Sequence, residues 1–250
     1  MASFYDQVAK KFGGYAFGRN KPKYISKYPN GNPEQVFKEK LLELAKTNSI
    51  ALDVGCGDGK FAFEVSKHFS FIHGIDRSKE LLNIARSKKI ALKISNVDFK
   101  LEDASKISFP DESFDMIFCR RGPSFYKEYY RLLKKSGYYL EIGIGENDTV
   151  DLKKVFGRGQ GFGTWNKSRL DKNKKEFTQL VFKIIFAKDF LYNEYYESMN
   201  ELDIFLQGVP IFEDFDSKKD KANLENYCTK FNTPKGIYLP RHRVVYVLQK

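Results

Sequence analysis

The chain has 250 residues, of which 42% are hydrophobic, 30% charged and 16% aromatic, with a formal net charge of +11. This composition excludes global disorder, and no run of about 18 uncharged apolar residues is present to cross a membrane. Three dispersed cysteines (Cys56, Cys119, Cys228) and three histidines (His68, His73, His242) exclude a disulfide framework and a cysteine-built metal site, so no metal is expected and the compartment is read as cytoplasmic. In chain order, residues 1–6 have no basic n-region and no apolar h-region, which predicts no signal peptide. Phe4, Val8 and Phe12 are spaced as one face of a short helix, ended by Gly13-Gly14. Pro22 and Pro29-Asn30-Gly31-Asn32-Pro33 predict turns and an extended link. Pro33-Glu34 opens a helix in which Val36, Phe37, Leu41, Leu42, Leu44 and Ala45 follow a 3.6 period.

A strand–helix rhythm then begins. A buried strand is predicted over 50–54, a glycine-rich turn over 55–59, a helix over 60–69 and a strand over 71–75 ending at Asp76. Ser78 caps the next helix. Strands follow over 97–101 and 116–119, then a helix over 124–135 with Gly137 as its C′ residue, then a fifth strand over 138–144. This alternation predicts a parallel sheet covered on both faces. Beyond Glu146 the rhythm breaks. A helix start and a basic, glycine-rich loop occupy 150–175, a helix 175–181, and strand material 182–186 and 190–192. Ser198, with Glu201 three residues on, caps a helix over 198–206. A helix over 218–231 and a final strand over 244–248 complete the chain.

Charge is uneven along this layout. Residues 1–40 carry eight Lys/Arg against three acids, and 152–175 carry eight against Asp171 alone. Residues 189–225 carry ten acids against three lysines. The two basic segments would form an anion-attracting face if they lay together. Lysine outnumbers arginine 33 to 10, a usage that an AT-rich genome also produces.

The stretch that carries chemistry is Leu52-Asp53-Val54-Gly55-Cys56-Gly57-Asp58-Gly59. Glycines let a strand turn sharply into a helix and let a ligand approach the backbone. The spacing is GxGxG, not the dinucleotide GxGxxG, and an acid lies two residues before the first glycine. Asp53 would repel a pyrophosphate and suits a ligand with an ammonium group. Asp76, 21 residues after Gly55, stands where doubly wound folds accept ribose hydroxyls. Asp103, just after the third strand, can accept from the exocyclic amine of adenine. Three acids at successive strand ends describe an amino-acid head, a ribose and an adenine, which together are S-adenosylmethionine.

On these motifs the chain resembles the class I S-adenosylmethionine-dependent methyltransferases, in the group called type 11 or UbiE-like. LDVGCGDG, GIDRS, LEDA, SFPDESFDMIFCRR and RLLKKSGYYLEIGIGE resemble five ordered family motifs over residues 40–146. Phe4-Tyr5-Asp6-Gln7-Val8-Ala9 is similar to an opening that caps the cofactor in many members. The resemblance implies an α/β fold with a doubly wound, seven-stranded, mostly parallel sheet whose last strand is antiparallel. It implies a lid over 1–40 and a methyltransferase domain over 41–250, with core motifs in 50–146 and a substrate-recognition elaboration in 147–243. It also implies site roles. Gly55, Cys56 and Gly57 line the methionine part through backbone, and Asp53 faces its ammonium. Asp76 takes the ribose hydroxyls, with Arg77 against the adenine. Asp103 and Ala104 hold the adenine edge, and Arg120 lines the methionine side through backbone.

The acceptor is less legible. No general base is identified, and a sulfonium donor asks mainly for orientation. Cys119 lacks a Pro-Cys context and reads as a buried structural thiol. Residues 120–126 do not form the [DNS]-Pro-Pro-[YF] motif, which argues against methylation of exocyclic amines in DNA. Arg121, Phe125 and Tyr126 are candidates for an acceptor pocket or for packing of the following helix. His242, between Arg241 and Arg243, is a candidate for a substrate role or a structural one. Residues 156–165 mix arginine and aromatics with glycines and are a candidate for gripping phosphates and bases or for a loop over the core. The expected activity is methyl transfer, with RNA as the leading acceptor on the strength of the basic segments. A small anionic metabolite is the alternative acceptor, and a non-catalytic cofactor-binding regulator is the third reading. No membrane partner is expected, and the oligomeric state is not legible.

Overall fold

A computed structural model of the chain describes residues 3–15 and 21–250. The elements in chain order are α1 (Phe4–Phe12), β1 (Tyr24–Lys27), α2 (Pro33–Leu44), β2 (Ile50–Val54), α3 (Lys60–Val65), β3 (Phe71–Asp76), α4 (Lys79–Leu92), β4 (Val97–Leu101), β5 (Phe114–Arg120), α5 (Tyr126–Leu132), β6 (Leu133–Ile144), α6 (Val150–Phe156), α7 (Arg169–Gln179), β7 (Lys183–Tyr196), α8 (Met199–Gly208), α9 (Lys221–Lys230), β8 (Asn232–Thr233) and β9 (Gly236–Gln249). They fall into two units. One holds residues 32–144, 169–189 and 244–250, the other 1–31, 145–168 and 190–243, and strands β7 and β9 run through both.

In the first unit the strand order is β7-β9-β6-β5-β2-β3-β4. β2 pairs in parallel with β3 and β5, β3 with β4, and β5 with β6. Parallel neighbours need crossovers, which helices such as α3 and α4 supply. The strands are near-continuous apolar runs because both faces are covered. Leu52, Val54, Ile117 and Tyr139 pack with Tyr129 and Leu132 in one buried layer. In a second contact set, Phe118 of β5 packs against Phe61 of α3, whose ring lies 5.7 Å from Phe37 of α2. The chain order reverses between β2 and β5, so the ends of these strands form the switch point where doubly wound sheets bind ligands.

Seven strands correspond to those expected from sequence, and β1 and β8 are additional. β1 has no apolar run to betray it. Three of its four residues are exposed, and its order comes from antiparallel pairing with β7, Tyr24 opposite Tyr196. The helix expected over 124–135 is shorter. It ends at Leu132, and Leu133 is already extended. Gly137 is not a helix cap but lies within β6, where a Cβ would stand 2.9 Å from Lys134 O and 3.1 Å from Asp115 O. Helix α7 starts at Arg169, six residues before the expected start. Only Asn173 and Phe177 on it are buried, so its first half has no apolar period to read.

Gly74 on β3 shows how tightly this sheet packs against its own neighbouring strand, where Phe99 of β4 is its register partner. A Cβ there would lie 2.7 Å from the Phe99 ring and 3.0 Å from Cys56 Sγ. Phe99 is buried and has no solvent to swing into. Gly74→Ala is therefore expected to cost about 1–3 kcal/mol of stability by overpacking. A lowered urea midpoint with an unchanged slope would show it.

The second unit has its own core. Leu152 and Phe156 of α6, Phe205 and Leu206 of α8, and Leu224 and Tyr227 of α9 pack with Tyr196 and Leu239. Its α1 carries a capping box between Ser3 and Asp6, and Gly13 ends it in the left-handed region at φ 70°.

Candidate functional site

The site grows from the end of β2. Gly55, Gly57 and Gly59 all have positive φ (71°, 56° and 75°), which side chains disfavour. The turn is held from β3: the N–H groups of Gly55 and Cys56 both donate to Ile75 O, at 2.9 and 3.0 Å. Gly57 N–H donates to Asp76 Oδ2 at 2.9 Å, and Ser78 N–H to Asp76 Oδ1 at 2.8 Å. One carboxylate thus shapes both the glycine turn and the entry to α4. Its backbone also reaches β4, since Glu102 N–H donates to Asp76 O at 3.1 Å.

Asp53, on β2 just before this turn, is only 3% exposed. Burial pushes its carboxyl from the ordinary 3.8 up to about 7, while Arg120 pulls the other way and Asp76 adds to the rise. Arg120 ends β5. Its Nη2 donates to Glu34 Oε2 at 2.7 Å, and its guanidinium lies 4.3 Å from the Phe61 ring centroid. Its Nε is buried and has no hydrogen-bond partner among the described residues. A buried carboxylate that favours a cation and a buried donor that lacks an acceptor therefore stand within electrostatic reach of each other at the switch point. That pair fits the ammonium and carboxylate of an amino-acid head.

The neighbouring turn is close and strained. Arg121 has φ 58°, unusual for a side-chain residue and of a kind found at functional sites. It is held by its N–H to Ile142 O at 2.8 Å and by an ion pair to Glu34. A Cβ on Gly122 would lie 2.7 Å from Cys119 Sγ and 3.2 Å from Val54 O. The two turns can approach only because this position is glycine.

Of the residues singled out from sequence, Asp53, Gly55, Cys56, Gly57, Asp76 and Arg120 converge here. Arg77, Asp103 and Ala104 lie at the ends of β3 and β4. Arg77 and Asp103 are exposed and Ala104 half-buried. The Ser105 N–H, aided by Arg77, holds the Asp103 carboxyl below its ordinary value. Burial raises both the Cys56 and Cys119 thiols, so neither is a thiolate at neutral pH. Tyr126 is core, not pocket: it is 3% exposed and packs on Tyr139 and Phe177. Phe125 is exposed. His242 is buried, and its Nδ1 accepts from Asn147 N–H at 3.2 Å.

Phe61 is absent from the sequence reading, and Glu34 enters it only as the opening of a helix. Glu34 reads only as an acid in a helix's first turn, and no periodicity shows that it faces two arginines 86 and 87 residues away.

Residues 45–160 match the family described as a methyltransferase domain. The chain is similar to phosphoethanolamine N-methyltransferase 3 of Arabidopsis thaliana, 34% identical over 108 residues, covering 40% of this chain and 22% of that protein. It is similar to the uncharacterized methyltransferase YcgJ of Bacillus subtilis, 33% identical over 98 residues, covering 36% of this chain and 39% of that one. The chain thus spans well under two thirds of the length of these curated relatives. The crystal structure of YcgJ superposes with a TM-score of 0.62 at 18% identity, covering 87% of this chain and 98% of that one, a likeness of fold.

Proposed function

This chain belongs to the class I S-adenosylmethionine-dependent methyltransferases of the UbiE-like type, with S-adenosylmethionine as cofactor, and on that premise we propose that it methylates a small acceptor bearing an anionic group. The observation that carries the cofactor half is the placement of buried Asp53 within electrostatic reach of Arg120, whose Nε has no partner among the described residues, at the ends of β2 and β5. In this reading Asp53 holds the ammonium and Arg120 the carboxylate of the methionine part. Asp76 uses its remaining lone pairs for the ribose hydroxyls, with Arg77 beside the adenine. Asp103 and Ala104 hold the adenine edge, and Gly55, Cys56 and Gly57 offer backbone at close approach. Bound S-adenosylmethionine supplies a methyl group already activated by its sulfonium. The chain's task is then to orient and to exclude water, and orientation alone supplies about 7–11 kcal/mol in well-aligned intramolecular reactions.

The acceptor half rests on where the basic charge goes. In the segment 152–175, Arg158 is paired with Asp214 and Asp220 at 2.5 and 2.9 Å, and Arg169 with Glu141 at 2.6 Å. Lys153 is buried, its Nζ on Gln160 O at 3.0 Å. These three of the segment's eight Lys/Arg are engaged internally and are not available to release counterions from a nucleic-acid backbone, whereas Lys167, Lys172 and Lys175 are exposed. The basic segment is thus a smaller footprint than its count suggests, and the similarity to a phosphoethanolamine N-methyltransferase of Arabidopsis thaliana favours a small acceptor over RNA. Among the described residues no helix is long and apolar enough to cross a membrane, and we place the protein in the cytoplasm on its free cysteines.

Label transfer from methyl-labelled S-adenosylmethionine into an extract lacking this gene tests the reading. Label in the small-molecule fraction is expected. Label in RNA would overturn the acceptor class, and cofactor binding without any transfer would leave a regulator. The Asp53 assignment has its own pH signature. With a ligand-free pKa of about 7, Asp53 is protonated below that pH and must lose a proton to accept an ammonium. Affinity for S-adenosylhomocysteine is expected to be level above pH 7 and to fall about tenfold per pH unit below it. Asp53→Asn should flatten the profile. Because the folded value lies above the ordinary 3.8, the ligand-free protein should also lose stability as pH rises from 3.8 to about 7.

A further inference from the structure

Glu34 ties helix α2 to the cofactor site. Asn32 caps that helix by accepting from the Glu34 N–H at 3.0 Å, and Pro33 opens its first turn. Phe37 and Leu41 of the same helix are fully buried, so its start is anchored. From that anchor Glu34 Oε2 accepts from Arg120 Nη2 at 2.7 Å, and Oε1 accepts from Arg121 Nη1. Each oxygen of one carboxylate thus holds one arginine. The side chains of Glu34, Arg120 and Arg121 are only 34%, 27% and 23% exposed, so both ion pairs are partly sheltered from water.

Two neighbouring features show what this arrangement fixes. The first is the backbone of Arg121. Successive residues of a strand point to opposite faces, so Arg120 and Arg121 would ordinarily diverge. They converge on Glu34 because Arg121 takes a left-handed conformation, φ 58°, which a non-glycine residue keeps only where its surroundings hold it. The second is the Phe61 ring. Its centroid lies 4.3 Å from the Arg120 guanidinium carbon, and 5.7 Å from the rings of both Phe37 of α2 and Phe118 of β5. Helix α2 therefore restrains Arg120 twice, at Nη2 through Glu34 and across the guanidinium face through Phe37 and Phe61. A guanidinium is a rigid planar fork, so fixing its plane and one Nη fixes where its other N–H groups point. The Nε–H is left over, buried and without a hydrogen-bond partner among the described residues.

We propose that Glu34 is a positioning residue that makes the site selective for a carboxylate-bearing cofactor: by holding Arg120 at Nη2 it presents the buried Nε–H to the methionine carboxylate. This rests on the function proposed above, which gives Arg120 that partner. Glu34 has the same sign of charge as the ligand's carboxylate, so through charge alone it would repel that group. Through Arg120 it strengthens the hold on it. The two roles differ in sign, which makes them separable.

The test is calorimetry on the full chain at pH 8, with S-adenosylhomocysteine and with its decarboxylated form, which keeps the adenine, ribose and ammonium. Asp53, with its value of about 7, is ionised there. The unsubstituted protein is expected to prefer S-adenosylhomocysteine by about ten- to a hundredfold, the worth of one hydrogen bond between charged groups. In Glu34→Ala that preference should shrink to within about threefold, through weaker binding of S-adenosylhomocysteine alone. Glu39→Ala, an equal change of charge at an exposed position of α2, should leave it unchanged. Should Glu34→Ala fail to fold, Glu34→Gln decides: it keeps the shape but has one carbonyl oxygen and no charge, and its preference should fall at least about threefold. Equal weakening of both ligands would make Glu34 merely structural and overturn the proposal. Tighter S-adenosylhomocysteine would mean that charge and not position governs, and would overturn it too, as would an unchanged preference. Arg120→Lys separates the failures, because it keeps the charge and lacks the Nε–H. Its preference should also vanish. If it persists, Arg120 does not hold the carboxylate and the cofactor assignment falls. If it vanishes while Glu34→Ala retains its own, only the positioning by Glu34 falls. An unsubstituted protein that binds no S-adenosylhomocysteine would defeat the methyltransferase reading itself.

Discussion

Asp76→Ala is expected to weaken S-adenosylhomocysteine binding by about a hundredfold or more, since each hydrogen bond to a charged group is worth about 1.5–3 kcal/mol and several are lost together. The carboxylate accepts from Gly57 N–H at 2.9 Å and from Ser78 N–H at 2.8 Å, one on each oxygen. Without it the positive-φ turn loses the contact that fixes Gly57, so the backbone meant to face the ligand is no longer preorganised. The ribose partner goes at the same time. Stability should suffer less than affinity, because Asp76 is half-buried and water can reach the freed donors. Asp76→Asn separates the two roles. Its single carbonyl oxygen can serve Gly57 or Ser78 but not both, since the amide nitrogen cannot accept, so an intermediate loss is expected. Calorimetry on the three proteins decides the matter. An Asp76→Ala affinity within about threefold of the unsubstituted protein, under 1 kcal/mol, would remove Asp76 from the ligand and with it the site as drawn.

The sequence carries this region well because its signals are local. The strand 50–54, the glycines of 55–59 and the acid that closes 71–76 each declare themselves within a few residues, and the periodicity places Asp53 and Asp76 at adjacent strand ends. What escapes is decided by contacts far apart in the chain. Glu34 meets Arg120 and Arg121 across 86 and 87 residues, and nothing near Pro33 hints at it. Gly74, Gly122 and Gly137 are small because of what packs against them, not because of their own φ, so a reading that treats glycine as a turn or cap misplaces Gly137. The basic segment 152–175 misleads for the same reason. A count of lysines and arginines sees charge, but Arg158 and Arg169 are partnered by acids outside the segment. β1 and the first half of α7 stay hidden because their order comes from strand pairing and from two buried side chains.

Arg169→Met is expected to cost about 3–5 kcal/mol of stability, the largest loss predicted for a single substitution in the first unit. Glu141 is 1% exposed. Its Oε1 accepts from Arg169 Nη2 at 2.6 Å and its Oε2 from Tyr139 OH at 2.9 Å. Arg169 Nη1 also donates to Ile144 O at 2.7 Å, so one side chain ties the start of α7 to the end of β6. Gly143 makes room for the pair: a Cβ there would lie 2.7 Å from Glu141 Oε1 and 2.8 Å from Arg169 Nη2. Removing the arginine leaves a carboxylate in a dry layer with a tyrosine for company. Burial already raises the Glu141 carboxyl, with Arg169 opposing, so the variant raises it further. The sign follows. A folded value above the unfolded one means the variant is least penalised at low pH and loses stability as pH rises through the carboxylate range. Its deficit, read from urea midpoints, should therefore grow from pH 5 to pH 8. Adding Glu141→Gln removes the buried charge while keeping an acceptor for Tyr139, and should recover most of the loss and abolish its pH dependence. A deficit in Arg169→Met that is flat with pH would mean that Glu141 is protonated throughout, and that the bond to Ile144, not the ion pair, is what Arg169 contributes.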